Sequence, residues 1–193
     1  MKAWRIAAAI AAGALGAAGA AAEPQGYTLD PTHSFVTFEL LHFDTSTIRG
    51  RLGPIQGRVL LDRQARTGHL GIEVDTATAS TGVPLLDARV RGSEMLDAAA
   101  WPKAYFVAKG FTFDDHGAVT AVRGEFTLRG TSQPLTLTAL RYRCYPSPLF
   151  GREVCGGDFE GRIIRSEFGI THSLPFVADA VHLLIQVEAV RDP

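Results

Sequence analysis

The stretch Val122-Arg-Gly-Glu-Phe-Thr-Leu-Arg-Gly-Thr-Ser-Gln-Pro-Leu-Thr-Leu-Thr-Ala-Leu140 decides the fold of this chain. From Val122 to Leu128 apolar residues and glycine occupy one set of alternate positions, and polar or charged residues occupy the other. A period of two with one apolar face is typical of a β-strand that is wet on one side. Gly130 and Pro134 lie where the alternation pauses, so the stretch predicts a β-hairpin whose turn runs between them.

The same alternation recurs along nearly the whole chain. After a short strand at Tyr27–Leu29 it predicts strands over Ser34–Phe43, Ile55–Asp62, His69–Asp75, Ala104–Phe113, Val119–Leu128, Leu135–Tyr142, Asp158–Arg165 and Val181–Ala189. Such a mainly β chain, with short polar turns, favours an antiparallel sheet whose edges must be closed or covered. An antiparallel β-barrel of about eight strands is the simplest closed solution, and a two-sheet sandwich remains the alternative.

One segment, Pro84–Ala100, does not alternate. It carries scattered apolar residues among Asp, Arg and Ala, which indicates one or two short helices. Ser93 is a suitable N-cap for the second helix, and Trp101-Pro102 marks its end. We expect this segment to cover an open end of the barrel or a sheet edge, as a plug or as a lid.

Residues 1–22 have the features of a secretory signal peptide. Lys2 and Arg5 precede an apolar run from Ile6 to Ala18, and alanines at 20–22 supply the small residues of a cleavage site. The alternative, a membrane anchor, is less favoured because the run is shorter than the roughly 20 residues that a spanning helix needs. We therefore expect residues 23–193 to form one exported, periplasmic domain.

The charge balance of residues 23–193 excludes one broad class of partner. Without Lys2 and Arg5, 17 basic and 20 acidic residues remain, a net charge of −3. A nucleic-acid-binding domain would show a basic balance or a basic stripe. We predict no nucleic-acid partner.

The two cysteines, Cys144 and Cys155, lie near the facing ends of two predicted strands, on either side of a Pro- and Gly-containing loop. In an exported protein this arrangement predicts a disulfide. A redox-active pair is the weaker interpretation, because such pairs usually take the form Cys-x-x-Cys beside a helix start.

Motifs for catalysis or metal binding are not present in the sequence. The six histidines form no His-Glu-x-x-His pattern and no close cluster with the cysteines, and there is no Gly-x-Ser-x-Gly. His33 with Asp30 could act as a general base, although residues at a strand start more often make structural hydrogen bonds. We predict no catalytic residue, no metal site and no cofactor.

Four motifs follow one another along the chain and together cover almost all of it after the signal peptide. They are Tyr27-Thr-Leu-Asp-Pro-Thr-His-Ser-Phe-Val-Thr-Phe38 followed by His42, Gly50 and Gly57; Arg91-Gly-Ser-Glu-Met-Leu-Asp-Ala-Ala-Ala-Trp-Pro102; Gly124-Glu-Phe-Thr-Leu-Arg-Gly-Thr131 with Pro134; and Ile163-Ile-Arg-Ser-Glu-Phe-Gly-Ile170. In this order and at these separations they resemble the motifs of the YceI family of bacterial lipocalin-like, polyisoprenoid-binding proteins.

The resemblance implies a lipocalin-like barrel that holds a long apolar molecule, isoprenoid-like or fatty, in the periplasm. It also implies a possible homodimer and, for some relatives, association with a membrane cytochrome of the b561 type. The chain departs from the family pattern at Arg89, where a histidine is frequent, and at Met95 and Leu96, where aromatic residues are. The cysteine pair is a further elaboration of this chain.

Strand parity then gives candidates for the ligand site. The residues expected to face the interior are Phe38, Val59, Ile72, Phe126, Leu128, Leu137, Ile163, Arg165 and Ile185. Arg165 is the first candidate to orient a head group, with an ion pair to Asp30 or Glu167 as the alternative. Three further arginines could line the mouth of the barrel: Arg49, Arg51 and Arg89.

A barrel of this size can equally be filled by its own side chains. A second hypothesis is that the ligand is a quinone and the protein a redox partner of a b-type cytochrome.

Overall fold

The computed structural model describes residues 23–193, and the predicted signal peptide lies outside them. These residues form ten β-strands, one α-helix and two short 3-10 turns. The strands are β1 (Gln25–Leu29), β2 (Phe35–His42), β3 (Ser46–Leu52), β4 (Ile55–Asp62), β5 (Thr67–Asp75), β6 (Lys103–Phe113), β7 (Val119–Leu128), β8 (Thr131–Ser147), β9 (Arg152–Ile164) and β10 (Ala180–Arg191). The helix is α1 (Pro84–Arg91), and the 3-10 turns are Thr76–Thr78 and Arg165–Phe168.

All ten strands belong to one antiparallel sheet that closes on itself. β1 and β2 both pair with β10, along different parts of it, and their own partners are β4 and β3. β1 and β2 therefore share one position around the sheet, and β3 and β4 share the next. With the six other strands this makes eight positions, and the pairing of β1 with β10 closes them into a barrel. The predicted eight-stranded barrel is confirmed, and the two-sheet sandwich is excluded.

Strand β3 was not predicted, and its glycine explains why. Gly50 occupies a position where the alternation calls for an apolar residue, and it lies directly opposite Phe38 of β2. A Cβ atom added to Gly50 would overlap the Phe38 ring. The aromatic ring thus fills the space above the glycine, so the apolar face of β3 is partly supplied by its neighbour.

The hairpin between β7 and β8 has a tighter turn than predicted. Arg129 and Gly130 form the turn, with φ of 50° and 71°, and β8 begins at Thr131. Two left-handed residues match the twist of antiparallel strands, which favours two-residue hairpin turns of this kind. The predicted turn through Pro134 is wrong, because Pro134 lies within β8, opposite Glu125.

The long hairpin of β8 and β9 carries the disulfide. Cys144 and Cys155 lie directly opposite each other in the strand register and are bonded. The predicted disulfide between them is confirmed.

The segment between β5 and β6 contains one α-helix, within the one or two that were predicted, and the second helix after Ser93 does not form. After α1, hydrogen-bonded turns fold the chain back, as when the Leu96 amide donates to the Val90 carbonyl over 3.0 Å. Asp97 takes a left-handed conformation with φ of 48°. A residue in that conformation cannot continue a right-handed helix.

The two ends of the barrel differ. We call one the helical end; it carries α1, the β2–β3 turn and the connections 76–102 and 165–179. We call the other the hairpin end; it carries the short β4–β5, β6–β7 and β8–β9 turns. Among residues 23–193, no helix has the length and apolar character that crossing a bilayer requires.

Candidate functional site

A cavity of about 210 Å³ lies inside the barrel on the side of the helical end. Its wall is formed by inward-facing side chains of the strands, at alternate positions, as a period of two requires. On β10, for example, these are Val181, Leu183 and Ile185. The wall is almost entirely hydrocarbon, so the cavity suits an apolar molecule.

Eight of the nine residues that parity selects line this cavity. They are Phe38, Ile72, Phe126, Leu128, Leu137, Ile163, Arg165 and Ile185. Their positions are therefore those expected, and their role in binding a ligand stays a prediction.

Val59 is the residue that does not line the cavity. It lies on β4 four residues beyond Ile55, which does line it, so Val59 lies roughly 13 Å deeper along the strand. There it packs against the buried core of the hairpin end, next to Tyr27, its partner on β1. The phenol hydroxyl of Tyr27 donates to Glu153 over 2.7 Å, and burial together with this carboxylate raises the pKa of Tyr27. The barrel is thus hollow at one end and filled at the other.

The roof of the cavity comes from the segment after β5. Leu86, Arg89 and Val90 of α1 line it, and their spacing of three and four residues places them on one side of the helix. Met95 and Leu96 of the following turns line it too. The expectation that this segment covers an open barrel end is confirmed.

Sequence reasoning missed a second part of the roof. Ile170, His172, Ser173 and Val177 lie in the connection between β9 and β10 and also line the cavity. This connection has no regular period, so strand parity could not select its residues, although the family-like motif that ends at Ile170 reaches into it.

Arg165 is buried, with 2% of its surface exposed, and its guanidinium binds backbone carbonyls. Its Nε donates to Ala178 over 2.9 Å, Nη1 to Ile170 and His172 over 2.9 Å each, and Nη2 to Val177 over 2.8 Å. Burial lowers the pKa of Arg165 from its ordinary value, against the opposing effect of Asp179. Four of its five N–H groups are therefore committed to holding the 170–178 segment in place.

The alternative of an ion pair between Arg165 and Asp30 or Glu167 is not realised in residues 23–193. Asp30 instead accepts hydrogen bonds from His33 over 2.7 Å and from Thr32 over 2.8 Å. Burial alone would raise the pKa of Asp30, but these bonds outweigh it and lower the pKa. Asp30 and His33 lie in the connection between β1 and β2 and do not line the cavity. Their hydrogen bond therefore joins the two ends of this connection.

Polar side chains of the cavity wall gather at the helical end. Arg89 Nη1 lies 3.4 Å from His172 Nε2, and His172 Nδ1 lies 3.3 Å from Glu94 Oε1. Glu73, which also lines the cavity, pairs with Lys103.

The other two arginines considered for the mouth lie outside the cavity wall. Arg49 pairs with Glu39 over 2.6 Å, and the Arg51 guanidinium lies 3.5 Å from the centre of the Phe35 ring. Both have partners on the barrel's own surface, which leaves Arg89 as the arginine at the rim of the cavity.

Curated relatives match most of the chain. The protein is 28% identical over 160 residues to "Protein YceI" of Salmonella newport (strain SL254), and the match covers 82% of each chain. The same identity and coverage are found for "Protein YceI" of Salmonella arizonae.

Solved structures share the fold. The Campylobacter jejuni YCEI protein superposes with a TM-score of 0.67 at 21% identity, over 79% of this chain and 90% of that one. Burkholderia cenocepacia BcnA superposes with a TM-score of 0.65 at 19% identity, over 83% of this chain and 98% of that one. A polyisoprenoid binding domain from Saccharophagus degradans gives 0.60 at 15% identity, over 87% and 99%. The family model of the YceI-like domain matches residues 27–189, and the chain belongs to that family.

Proposed function

We propose that this protein is a periplasmic carrier that holds a long apolar or amphiphilic molecule in its barrel. The observation that carries the proposal is the cavity of about 210 Å³, whose wall takes apolar side chains from strands all around the barrel. Eight-stranded barrels either fill with side chains or hold one small ligand, and this interior leaves space. The proposed activity is binding, not catalysis.

The hydrophobic effect supplies a large favourable term for binding. Burying about ten methylene groups contributes roughly 8 kcal/mol at ~0.8 kcal/mol each, before the costs of association. Without those costs this free energy would give a dissociation constant of micromolar order, which is an upper limit on the affinity that about ten methylene groups provide. The chain of the ligand can therefore supply most of the affinity.

Two observations support the ligand class and the compartment. The Saccharophagus degradans neighbour, which shares the fold, is described as polyisoprenoid-binding, which favours an isoprenoid or fatty chain here as well. The disulfide between Cys144 and Cys155, with the predicted signal peptide, favours the oxidising periplasm.

The test is to identify what the exported protein carries. The protein is purified from the periplasm, extracted with organic solvent, and the extract is analysed by mass spectrometry. We expect one isoprenoid, quinone or fatty molecule in stoichiometric amount. A quinone would favour the redox-partner hypothesis with a b-type cytochrome, and gel filtration with light scattering would test the predicted homodimer.

A matched pair of variants ties the bound molecule to the cavity. Val36→Phe places a larger side chain in the cavity wall, so we expect the extracted lipid to fall several-fold. Val107→Phe makes the same change on the exposed outer face of β6 and should leave the lipid content unchanged. Equal lipid in the wild type and in Val36→Phe, with both proteins folded, would refute binding inside the barrel.

A further inference from the structure

We propose that Arg89, with His172 beside it, binds the anionic head group of an amphiphile whose chain fills the cavity. The class of ligand is a long-chain carboxylate or phosphate. This inference rests on the proposed function and adds which end of the ligand is recognised and by which side chains.

The position of Arg89 on α1 is the first observation. Leu86, Arg89 and Val90 form the side of the helix that faces the cavity. Two of these three residues are apolar, as a roof over hydrocarbon requires, and the third carries a guanidinium. Arg89 itself is exposed and yet lines the cavity, so it lies at the rim, where its charge is hydrated.

The second observation is that Arg89 is the cavity-lining charge left uncommitted. Arg165 gives four N–H groups to backbone carbonyls, and Glu73 is paired with Lys103. Within residues 23–193, Arg89 forms no ion pair within 4.0 Å, and its one side-chain hydrogen bond is with His172. A guanidinium presents a planar fork of donors that matches the oxygens of a carboxylate or phosphate.

The surroundings of Arg89 place a head group there and nowhere else in the cavity. His172 and Ser173 line the wall at the same edge and offer further polar atoms. Glu94 contacts the far nitrogen of the His172 ring, which fixes the ring with its Nε2 towards Arg89. Because the hairpin end is filled by core residues such as Tyr27, a ligand enters with its chain first and leaves its head group at this rim.

The experiment compares ligands that share one chain and differ in the head group. Lipid-free protein is titrated at neutral pH with dodecanoic acid, dodecyl phosphate and dodecanol, by displacement of a fluorescent probe. We expect the wild type to bind the two anions roughly tenfold more tightly than the alcohol, as a charged hydrogen-bonded contact provides. Arg89→Met should abolish that preference, because it should weaken binding of the two anions far more than binding of dodecanol, and the ranking of acid against phosphate identifies the head-group source.

Two further variants control the result. Arg143→Met removes an exposed arginine of β8 that does not line the cavity, and it should keep the full preference for anions. Arg89→Lys retains the charge but loses the planar pair of donors, so it should keep only part of the preference for anions. Equal affinity of the wild type for all three ligands, or equal weakening of all three by Arg89→Met, would overturn the inference and leave the carrier proposal standing. Failure of the wild type to bind any of the three, with an empty extract from the periplasmic protein, would overturn both.

Discussion

Two arginines of the cavity wall illustrate how one residue type takes two roles at the residue scale. Arg165 is enclosed, and four carbonyls of one connection surround its guanidinium. Arg89 is open to solvent and has a single weak contact. A buried guanidinium is stabilised only when its donors are satisfied, so Arg165 contributes to folding, whereas a solvated one remains free for a ligand.

The first residue-scale prediction concerns Arg165. Arg165→Met should lower the free energy of unfolding by about 3 kcal/mol or more, because it leaves buried carbonyls of the 170–178 segment without donors. Urea denaturation followed by circular dichroism measures the change. Arg162→Met, at an exposed position of β9, should change stability by less than about 0.5 kcal/mol. A similarly small effect at Arg165 would show that the four hydrogen bonds contribute little.

Individual site residues were predictable only as far as strand parity reaches. Parity correctly placed eight residues towards the cavity, because side chains on a strand point alternately to its two faces. It could not reveal depth along the barrel, so it did not separate Val59 in the filled part from Ile72 in the hollow part. Nor could it show the partners of Arg165, since these belong to an irregular connection.

At the scale of elements, the interruption between β1 and β2 is held by a short polar cluster. Asp30 and His33 face each other across it with an Oδ2–Nδ1 distance of 2.7 Å. The hydrogen bond to Asp30 raises the pKa of His33 above its ordinary value of 6.5. The hydrogen bonds to Asp30 overcome its burial and hold its pKa below 3.8. Each group therefore favours the charged form of the other in the folded protein.

This pair predicts a pH dependence of stability. The raised pKa of His33 stabilises the folded state fully below pH 6.5. This contribution is lost as the pH rises through the pKa that His33 has in the folded protein. A lowered aspartate pKa stabilises above pH 3.8, and that contribution is lost as the pH falls through the folded value. In urea titrations, the stability difference between the wild type and His33→Gln should thus be largest between pH 3.8 and 6.5 and shrink at alkaline pH.

His69→Gln supplies the matched control for that series. His69 is an exposed residue of β5, and its replacement should displace the stability curve little at any pH. A His33→Gln curve that runs parallel to the wild type from acid to alkaline pH would contradict the role assigned to the pair.

Most strands were predictable because a long alternating run of apolar and polar residues fits a half-buried β-strand and no helix. β3 escaped because Gly50 interrupts its apolar face, and the compensating ring belongs to β2. The second helix was predicted because Ser93 is a good N-cap, but local capping preference did not decide the segment. Asp97 is left-handed, and the turns around it bring Met95 and Leu96 to the cavity. This packing depends on contacts with distant parts of the chain, which a local sequence pattern does not show.

At the scale of the whole molecule, the disulfide and the binding cavity lie towards opposite ends of the barrel. The disulfide joins β8 and β9 towards the hairpin end, near the half-buried Tyr142, whose pKa burial raises to about 12. The cavity and its roof occupy the helical end. Changes at one end should therefore leave the other largely intact.

The disulfide provides the test of that division. Replacing Cys144 and Cys155 by alanine should lower the free energy of unfolding by about 3 kcal/mol, because the unfolded chain regains the freedom of a closed loop. Reductant added to the wild type should reproduce most of the loss, whereas the affinity for dodecanol at moderate temperature should stay within about twofold, roughly 0.4 kcal/mol. A large loss of affinity in the folded alanine variant would show that the two ends are coupled.

The pairings of β10 have a consequence for the order in which the barrel can assemble. β10 is the last of the described strands, and it joins β9 to both β1 and β2, the earliest ones. Until β10 is in place, the edges of β9, β1 and β2 that pair with it have no partner, and the apolar interior faces water. Docking of β10 therefore closes the barrel, and a chain in which β10 is not yet docked carries unpaired strand edges that favour aggregation or recognition by chaperones and proteases.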